Sequence, residues 1–390
     1  MKYTEEKGKM KVLVVGPDSR RTKGGIASVI QGMREDAWLT GQTGMAFYSS
    51  CYEGNVFAKI LYEARQIARF GSVVKDYDLV HIHMSVNGSA RRKMQYARIA
   101  KRHGKKVILH IHSGNFVDYY RALGEKKRAK LQSVLQEADA VVALSQSWKE
   151  ALTKEIGLTN CVAIFNGISL KAYRNGFKTF EERPIDFLFL GRLGIEKGTD
   201  NLLKALKSIK EEGKPFRCVL AGDGPVQDYS QWVNEAQLGE QVTFAGWVKG
   251  KQKQELLQNA RILLLPSRRE GMPMSILEAM AYGEAVVSTR VGGIPEAVEE
   301  GGSGFLIEPD DEPSLYRTIR RLLDDRGLAE RMGRRGREIV KEKFDLEQIH
   351  RQLYALYSRD TFLTDTNTLY LKKANWNFNV IINMQINIIS

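Results

Sequence analysis

Short apolar runs, each closed by a glycine, a proline or a polar residue, recur along the first part of the chain at residues 12–15, 79–83, 107–112, 140–144 and 162–165. A strand buried on both faces of a parallel sheet reads this way, because it has no solvent side on which to alternate. Stretches with apolar residues at helical spacing separate the runs, at 26–33, 56–70, 90–103, 126–137 and 148–156. After Asn166-Gly167 and a polar stretch to Pro184 a second series begins, at 187–190, 217–220, 242–244, 262–265, 285–288 and 304–307. Strand and helix alternating in this way predict an α/β fold of two doubly wound, Rossmann-like parallel-sheet domains that face each other across a cleft. The expected boundaries are 1–170 for the first domain, 171–184 for a linker, 185–345 for the second domain and 346–360 for a C-terminal helix. Residues 314–340 read as one exposed, charged helix, and 361–390 as an Asn/Ile-rich tail outside the fold. A chain of 390 residues is long enough for two such cores.

Charge is unevenly placed. Residues 1–170 hold 27 Lys and Arg against 15 Asp and Glu, or +12 of the net +13, so the second half is nearly neutral. The densest basic stretch is Arg91, Arg92, Lys93, Arg98, Lys101, Arg102, Lys105 and Lys106, with apolar residues interleaved. It reads as a basic amphipathic helix, either a solvated face or an attraction for anionic lipid or a lipid-pyrophosphate acceptor. Nucleic acid is the weaker reading. Three scattered cysteines, Cys51, Cys161 and Cys218, suggest neither a disulfide framework nor a Cys-rich metal site. The first eleven residues lack the apolar region of a signal peptide, and no apolar run approaches the ~20 residues of a membrane span. The expectation is a cytoplasmic protein whose membrane contact, if any, is peripheral.

Ligands of doubly wound sheets sit beyond the carboxyl ends of the strands, so the residues just after each apolar run are the candidates for a site. The segment 267–283, Ser-Arg-Arg-Glu-Gly-Met-Pro-Met-Ser-Ile-Leu-Glu-Ala-Met-Ala-Tyr-Gly, comes directly after one run and passes through a Gly/Pro loop into a helix. Backbone N–H groups at such a helix start are free to meet sugar hydroxyls or an anion. Glu270 in the loop and Glu278 in the helix place two carboxylates where both can face one cleft.

At these residues the sequence resembles the retaining GT-B glycosyltransferases of glycosyltransferase family 4. Glu270 and Glu278 match the family's E-x7-E element. The resemblance implies that Glu270 lies beside the donor sugar and Glu278 on the ribose hydroxyls, with Gly271, Met272, Pro273, Met274 and Ser275 presenting backbone amides. The segment 191–198, Gly-Arg-Leu-Gly-Ile-Glu-Lys-Gly, resembles the family's diphosphate clamp, so Arg192 and Lys197 are expected on the departing phosphates. Segments at 221–225, 244–248, which includes Val248, and 291–296 resemble family segments in the same order. Gly24-Gly25 resembles the loop that approaches the donor phosphate, and His112 corresponds to a histidine near the transferred sugar. The likeness spans about residues 10–357. It implies a retaining, metal-independent transfer from a UDP- or GDP-linked sugar, without a cofactor; the basic charge of the first domain, which receives the acceptor in the family, adds the expectation of a glycan or lipid-linked acceptor in bacterial surface polysaccharide assembly.

Rival readings attach to some of the same residues. Asp76-Tyr-Asp78 has the form of a metal-binding D-x-D, although it precedes a buried strand, where a polar entry is ordinary. His81, His83, His110 and His112 repeat one spacing on two strands, which suggests either a four-histidine metal site or hydrogen-bonded core histidines. A nucleotide-sugar epimerase on the same plan, or a non-catalytic nucleotide-sugar-binding protein, would also use such a cleft. The glutamate spacing and the presence of every charged candidate favour the transferase.

Overall fold

The computed structural model describes residues 9–52, 54–173 and 178–358. The expected tail at 361–390 lies outside the described residues. Twelve strands form two sheets in which every pairing is parallel. The first sheet holds β1 (Lys11–Pro17), β2 (Gly44–Cys51), β3 (Leu79–Met84), β4 (Lys106–Ile111), β5 (Ala140–Ala143) and β6 (Cys161–Ala163), in the order β2-β1-β3-β4-β5-β6. The second holds β7 (Ile185–Leu190), β8 (Cys218–Ala221), β9 (Val242–Gly246), β10 (Ala260–Leu265), β11 (Ala285–Thr289) and β12 (Gly304–Ile307), in the order β12-β11-β10-β7-β8-β9. Each sheet reverses its winding once, between β1 and β3 and between β7 and β10. At such a point the connections leave in opposite directions and open a crevice at the carboxyl ends.

β3, β5, β7, β8, β10 and β11 are buried along their whole length, which explains why apolar runs rather than an alternating pattern mark them. β2 is the strand that the apolar pattern misses. It lies at the edge of its sheet and is mostly half-buried, and its sequence, Gly-Met-Ala-Phe-Tyr-Ser-Ser-Cys, lacks the Val, Ile and Leu that mark the other runs. The charged region expected as a single helix at 314–340 is two, Glu312–Asp324 and Arg326–Lys343. Asp325 separates them by accepting the Leu328 N–H as N-cap of the second. Their inner faces bury Leu315, Ile319 and Leu322, then Met332, Ile339 and Val340.

The chain passes between the two sheets twice, side by side. Ile168 donates its N–H to the Phe344 carbonyl and accepts from Leu346, both at 2.9 Å. The helix Leu346–Tyr357 then returns to the first domain, where Tyr357 Oη lies 2.7 Å from His81 Nδ1 and His350 Nδ1 2.5 Å from the Asp36 carboxylate. Burial alone would raise the Asp36 carboxyl, but hydrogen bonds from His350 and from the Leu39 and Trp38 amides outweigh it and hold the group low. Among the described residues no helix is long and apolar enough to cross a membrane.

Candidate active site

The loops after β7 and β10 meet because these strands are neighbours at the crossing point of the second sheet. The first loop carries Arg192 and Lys197, the second Ser267 and Glu270. Their backbones touch where Gly198, at φ 67°, lies against Pro266, and a β-carbon at Gly198 would collide with the Pro266 carbonyl. This approach pairs the Lys197 ammonium with the buried Glu270 carboxylate, whose Oε1 also accepts from Ser267 Oγ at 2.8 Å. Arg192 stands apart. Its side chain is 72% exposed and its nearest acid, Asp223, is 4.0 Å away.

From Glu270 the chain runs through Gly271, Met272 and Pro273 into the helix Met274–Ala281. Pro273 is the N-cap and no side chain caps the helix, so its first amides stay available to a ligand. Glu278, also buried, pairs through Oε1 with Lys253 Nζ at 2.7 Å. Lys253, from the helix Gly250–Asn259, and Ser267 are contacts that the motif alone does not signal.

The first domain closes on this loop at several points. A β-carbon on Gly114, just past the end of β4, would strike the Glu270 backbone. Trp148 Nε1 donates to the Glu270 carbonyl at 3.4 Å, and Asn166 Nδ2 to the Met272 carbonyl at 2.8 Å. The carboxylate of Glu296, in the second domain, accepts both the Gln146 and the Ser147 amides at 2.8 Å, at the first turn of the helix Gln146–Ile156. Lys23, beside Gly24, lies 5.3 Å over the Trp247 ring of the second domain.

Between the domains opens a cavity of about 860 Å³, walled by Gly24, Trp38, Asn166, Trp247, Met274 and Glu278 among others. That volume accommodates a ligand the size of a nucleotide sugar. Gly24 and Glu278 therefore share one cavity, and Met274 joins them. Gly25 begins the helix Gly25–Glu35, Val248 is buried behind Trp247, and Ser275 is half-buried. Glu270, Lys197 and Arg192 do not line this cavity. The first two close on each other at the interface of the β7 and β10 loops. His112 and Gly271 line a separate, small recess with Trp148.

His112 follows β4 and its Nε2 lies 2.8 Å from His83 Nδ1. Burial pushes its imidazole down to about 3, so the ring is neutral at ordinary pH. Among the described residues its Nδ1 takes part in no hydrogen bond. His81, His83 and His110 stack behind it, with His81 Nε2 3.2 Å from His110 Nδ1. The ligand atoms of these three lie within 4.8 Å of one another, close enough to hold a metal ion. The charge balance is poor for a cation: among the described residues no carboxylate joins the group, and the buried Lys93 ammonium acts on His83. Asp78 serves the opposite edge of the sheet. Its Oδ2 accepts the Lys11 amide at 2.8 Å at the start of β1, away from the carboxyl ends where the cleft lies.

The basic stretch after Ala90 is less uniform than its sequence implies. Lys93 is 1% exposed and points inward, bonded to Ser50 Oγ, so it belongs to the core. Arg92 pairs with Glu63 at 3.3 Å and Lys101 with Asp139 at 3.0 Å. A helix packed on a sheet must turn one side inward, and here a basic position falls on that side.

Two family profiles match consecutive parts of the chain: the one described as Glycosyltransferase Family 4 over residues 34–172, and Glycosyl transferases group 1 over 174–339. An alpha-D-kanosaminyltransferase of Streptomyces kanamyceticus is 30% identical over 178 residues, 45% of this chain and 46% of its own. WcaL of Escherichia coli, a glycosyltransferase assigned to colanic acid biosynthesis, is 29% identical over 235 residues, 58% of each chain. These matches span about half the length of either relative. HepE of Anabaena, solved with UDP-glucose, superposes with a TM-score of 0.72 over 90% of this chain and 99% of its own, at 18% identity. The fold is that of the GT-B glycosyltransferases, and the chain belongs to glycosyltransferase family 4.

Proposed function

We propose that the protein is a retaining, metal-independent glycosyltransferase that moves a sugar from a UDP- or GDP-linked donor to a glycan or lipid-linked acceptor in surface polysaccharide assembly. The observation that carries this reading is the buried Glu270 held by Lys197 at the crossing point of the donor-side sheet, beside an uncapped helix start and a nucleotide-sized cavity. HepE, with UDP-glucose in the same fold, supports a nucleotide-sugar donor. WcaL supports the polysaccharide role.

In this reading the nucleoside occupies the cavity, with its ribose hydroxyls donating to the Glu278 carboxylate that Lys253 holds in place. Gly24 lets the backbone approach the phosphates. When a donor enters, Lys197 turns from Glu270 to the diphosphate and Arg192 folds in from solvent. Glu270 then accepts hydrogen bonds from the sugar, and neutral His112 offers Nδ1 to a sugar hydroxyl. The bond between the anomeric carbon and the phosphate oxygen breaks, the acceptor hydroxyl bonds to that carbon from the same face, and the departing phosphate oxygen takes its proton. Two fixed cations stabilise the charge that the leaving group gains. NMR assignment of the product linkage tests the stereochemistry. An α-linked donor is expected to yield an α-linked product, and a β linkage would refute retention.

A further inference from the structure

Most amphipathic helices of this fold bury their apolar side, and the helix Val56–Val73 departs from that rule. Phe57 is 87% exposed, Ile60 61% and Leu61 74%. These positions stand three and four residues apart, so together with exposed Ala64 they form one continuous stripe facing solvent. The opposite side of the helix is already satisfied. Phe70 is fully buried, the Gln66 carbonyl accepts from Tyr48 Oη at 2.6 Å, Tyr62 packs edge-on against Tyr52 with ring centroids 4.9 Å apart, and Glu63 pairs with Arg92. The stripe is thus surplus to folding.

We infer that this stripe is a docking surface for an anionic lipid bilayer. Three features select that occupant. Arg65 and Arg69, both exposed, flank the stripe on one side, while the one acid of the helix is turned inward and neutralised by Arg92. An exposed apolar stripe with a basic flank matches an interfacial helix lying in the plane of the headgroups. The helix also starts just beyond the carboxyl end of β2, on the side of the sheet where the cleft opens. There Tyr52 lies under the Arg21 guanidinium at 4.6 Å, and Arg21 itself walls the cavity. A membrane seated on Phe57 and Leu61 therefore lies beside the cavity mouth, where an acceptor carried by a lipid would arrive. The inference deepens the acceptor side of the proposed function and rests on it for its purpose.

Flotation of the full chain with phosphatidylglycerol-containing vesicles, against pure phosphatidylcholine vesicles, tests this without any donor. The chain is expected to bind the anionic vesicles, more weakly at high salt. Phe57→Ser combined with Leu61→Ser should lower that binding on the order of tenfold or more, because apolar burial supplies part of the affinity. Arg91→Glu combined with Arg102→Glu, on the separate basic helix Gly88–Arg102, should lower it less. Nucleotide release from a donor in free solution should be the same in the Phe57/Leu61 variant as in the parent chain, so loss of docking and loss of the active-site reading are told apart. Absence of vesicle binding by the parent chain, or equal binding by the Phe57/Leu61 variant, would overturn the inference. A dimer in sedimentation velocity that this variant dissolves would also overturn it, by giving the stripe to a second copy.

Discussion

Glu296→Ala should open the cleft. The Glu296 carboxylate reaches across the domain boundary to two amides of the first turn of the helix Gln146–Ile156, each at 2.8 Å. Those amides have no partner within the helix, and a negative charge is favoured at a helix start. Each charge-assisted bond contributes about 1.5 kcal/mol net, and partial exposure reduces the pair to about 2 kcal/mol. The contact exists only with the domains together, so its loss should shift the closed-to-open ratio by roughly 30-fold. Small-angle scattering without ligand should report a larger radius of gyration for the variant, and kcat/KM should fall wherever the closed arrangement is needed for chemistry. Glu296→Gln, which keeps an oxygen acceptor but no charge, should fall between the two. Unchanged scattering and unchanged kcat/KM in both variants would show that the Glu296 contact does not hold the domains together.

Other outcomes depend on single groups. Lys197→Ala should lower turnover by about 2 to 4 kcal/mol in the transition state, on the order of 10²-fold, measured as steady-state nucleotide release; an unchanged rate would remove Lys197 from the diphosphate. Burial lowers Lys93 from 10.5 to about 8. The unfolded chain therefore binds more protons between those values, so stability should rise with pH across that window, and below it the full penalty of the buried charge, on the order of 3 kcal/mol, remains. Lys93→Met should accordingly raise the Tm at neutral pH and flatten the alkaline rise in denaturant melts. The Glu284 carboxyl is fully buried and, among the described residues, neither oxygen has a hydrogen-bond partner, so desolvation pushes its pKa well up despite Arg183. Its protonated form is the one the fold favours, and stability is lost as pH rises above the ordinary carboxylate range. Glu284→Gln should stabilise the protein at neutral pH by about 1 to 3 kcal/mol, visible as a raised denaturant midpoint.

The parts of the fold that the sequence announces are those where one local cause dominates. β7, β10 and β11 are buried on both faces, and their runs are uninterrupted. The helix Leu346–Tyr357 falls where its apolar spacing predicts. β2 lacks the Val, Ile and Leu of the other strands, and the helices Ala37–Gln42 and Phe116–Ala122 are too short for a helical repeat to stand out. In the candidate site, the glutamate spacing and the first glycine loop single out Glu278 and Gly24, which wall one cavity, but partner choice is a property of the assembled chain. Lys253 meets Glu278 only because two helices of the second domain converge, and Glu296 meets Gln146 only across the domain boundary. The inward turn of Lys93 and the outward turn of Phe57 are equally invisible, since helical spacing alone does not say which side meets the sheet. His83 and His110 each keep one buried ring nitrogen without a partner, and spacing foretells neither.

The most direct measurement is nucleoside-diphosphate release from a panel of UDP- and GDP-linked sugars, run with the parent chain, with Lys197→Ala, and with the parent chain in EDTA. Release is expected from at least one donor, with a rate for Lys197→Ala lower on the order of 10²-fold and no effect of chelation. Release from no donor, with none of them bound in calorimetry, would contradict the assignment of this cleft to a nucleotide sugar, and loss of activity in EDTA would contradict catalysis by Lys197 and Arg192 without a metal.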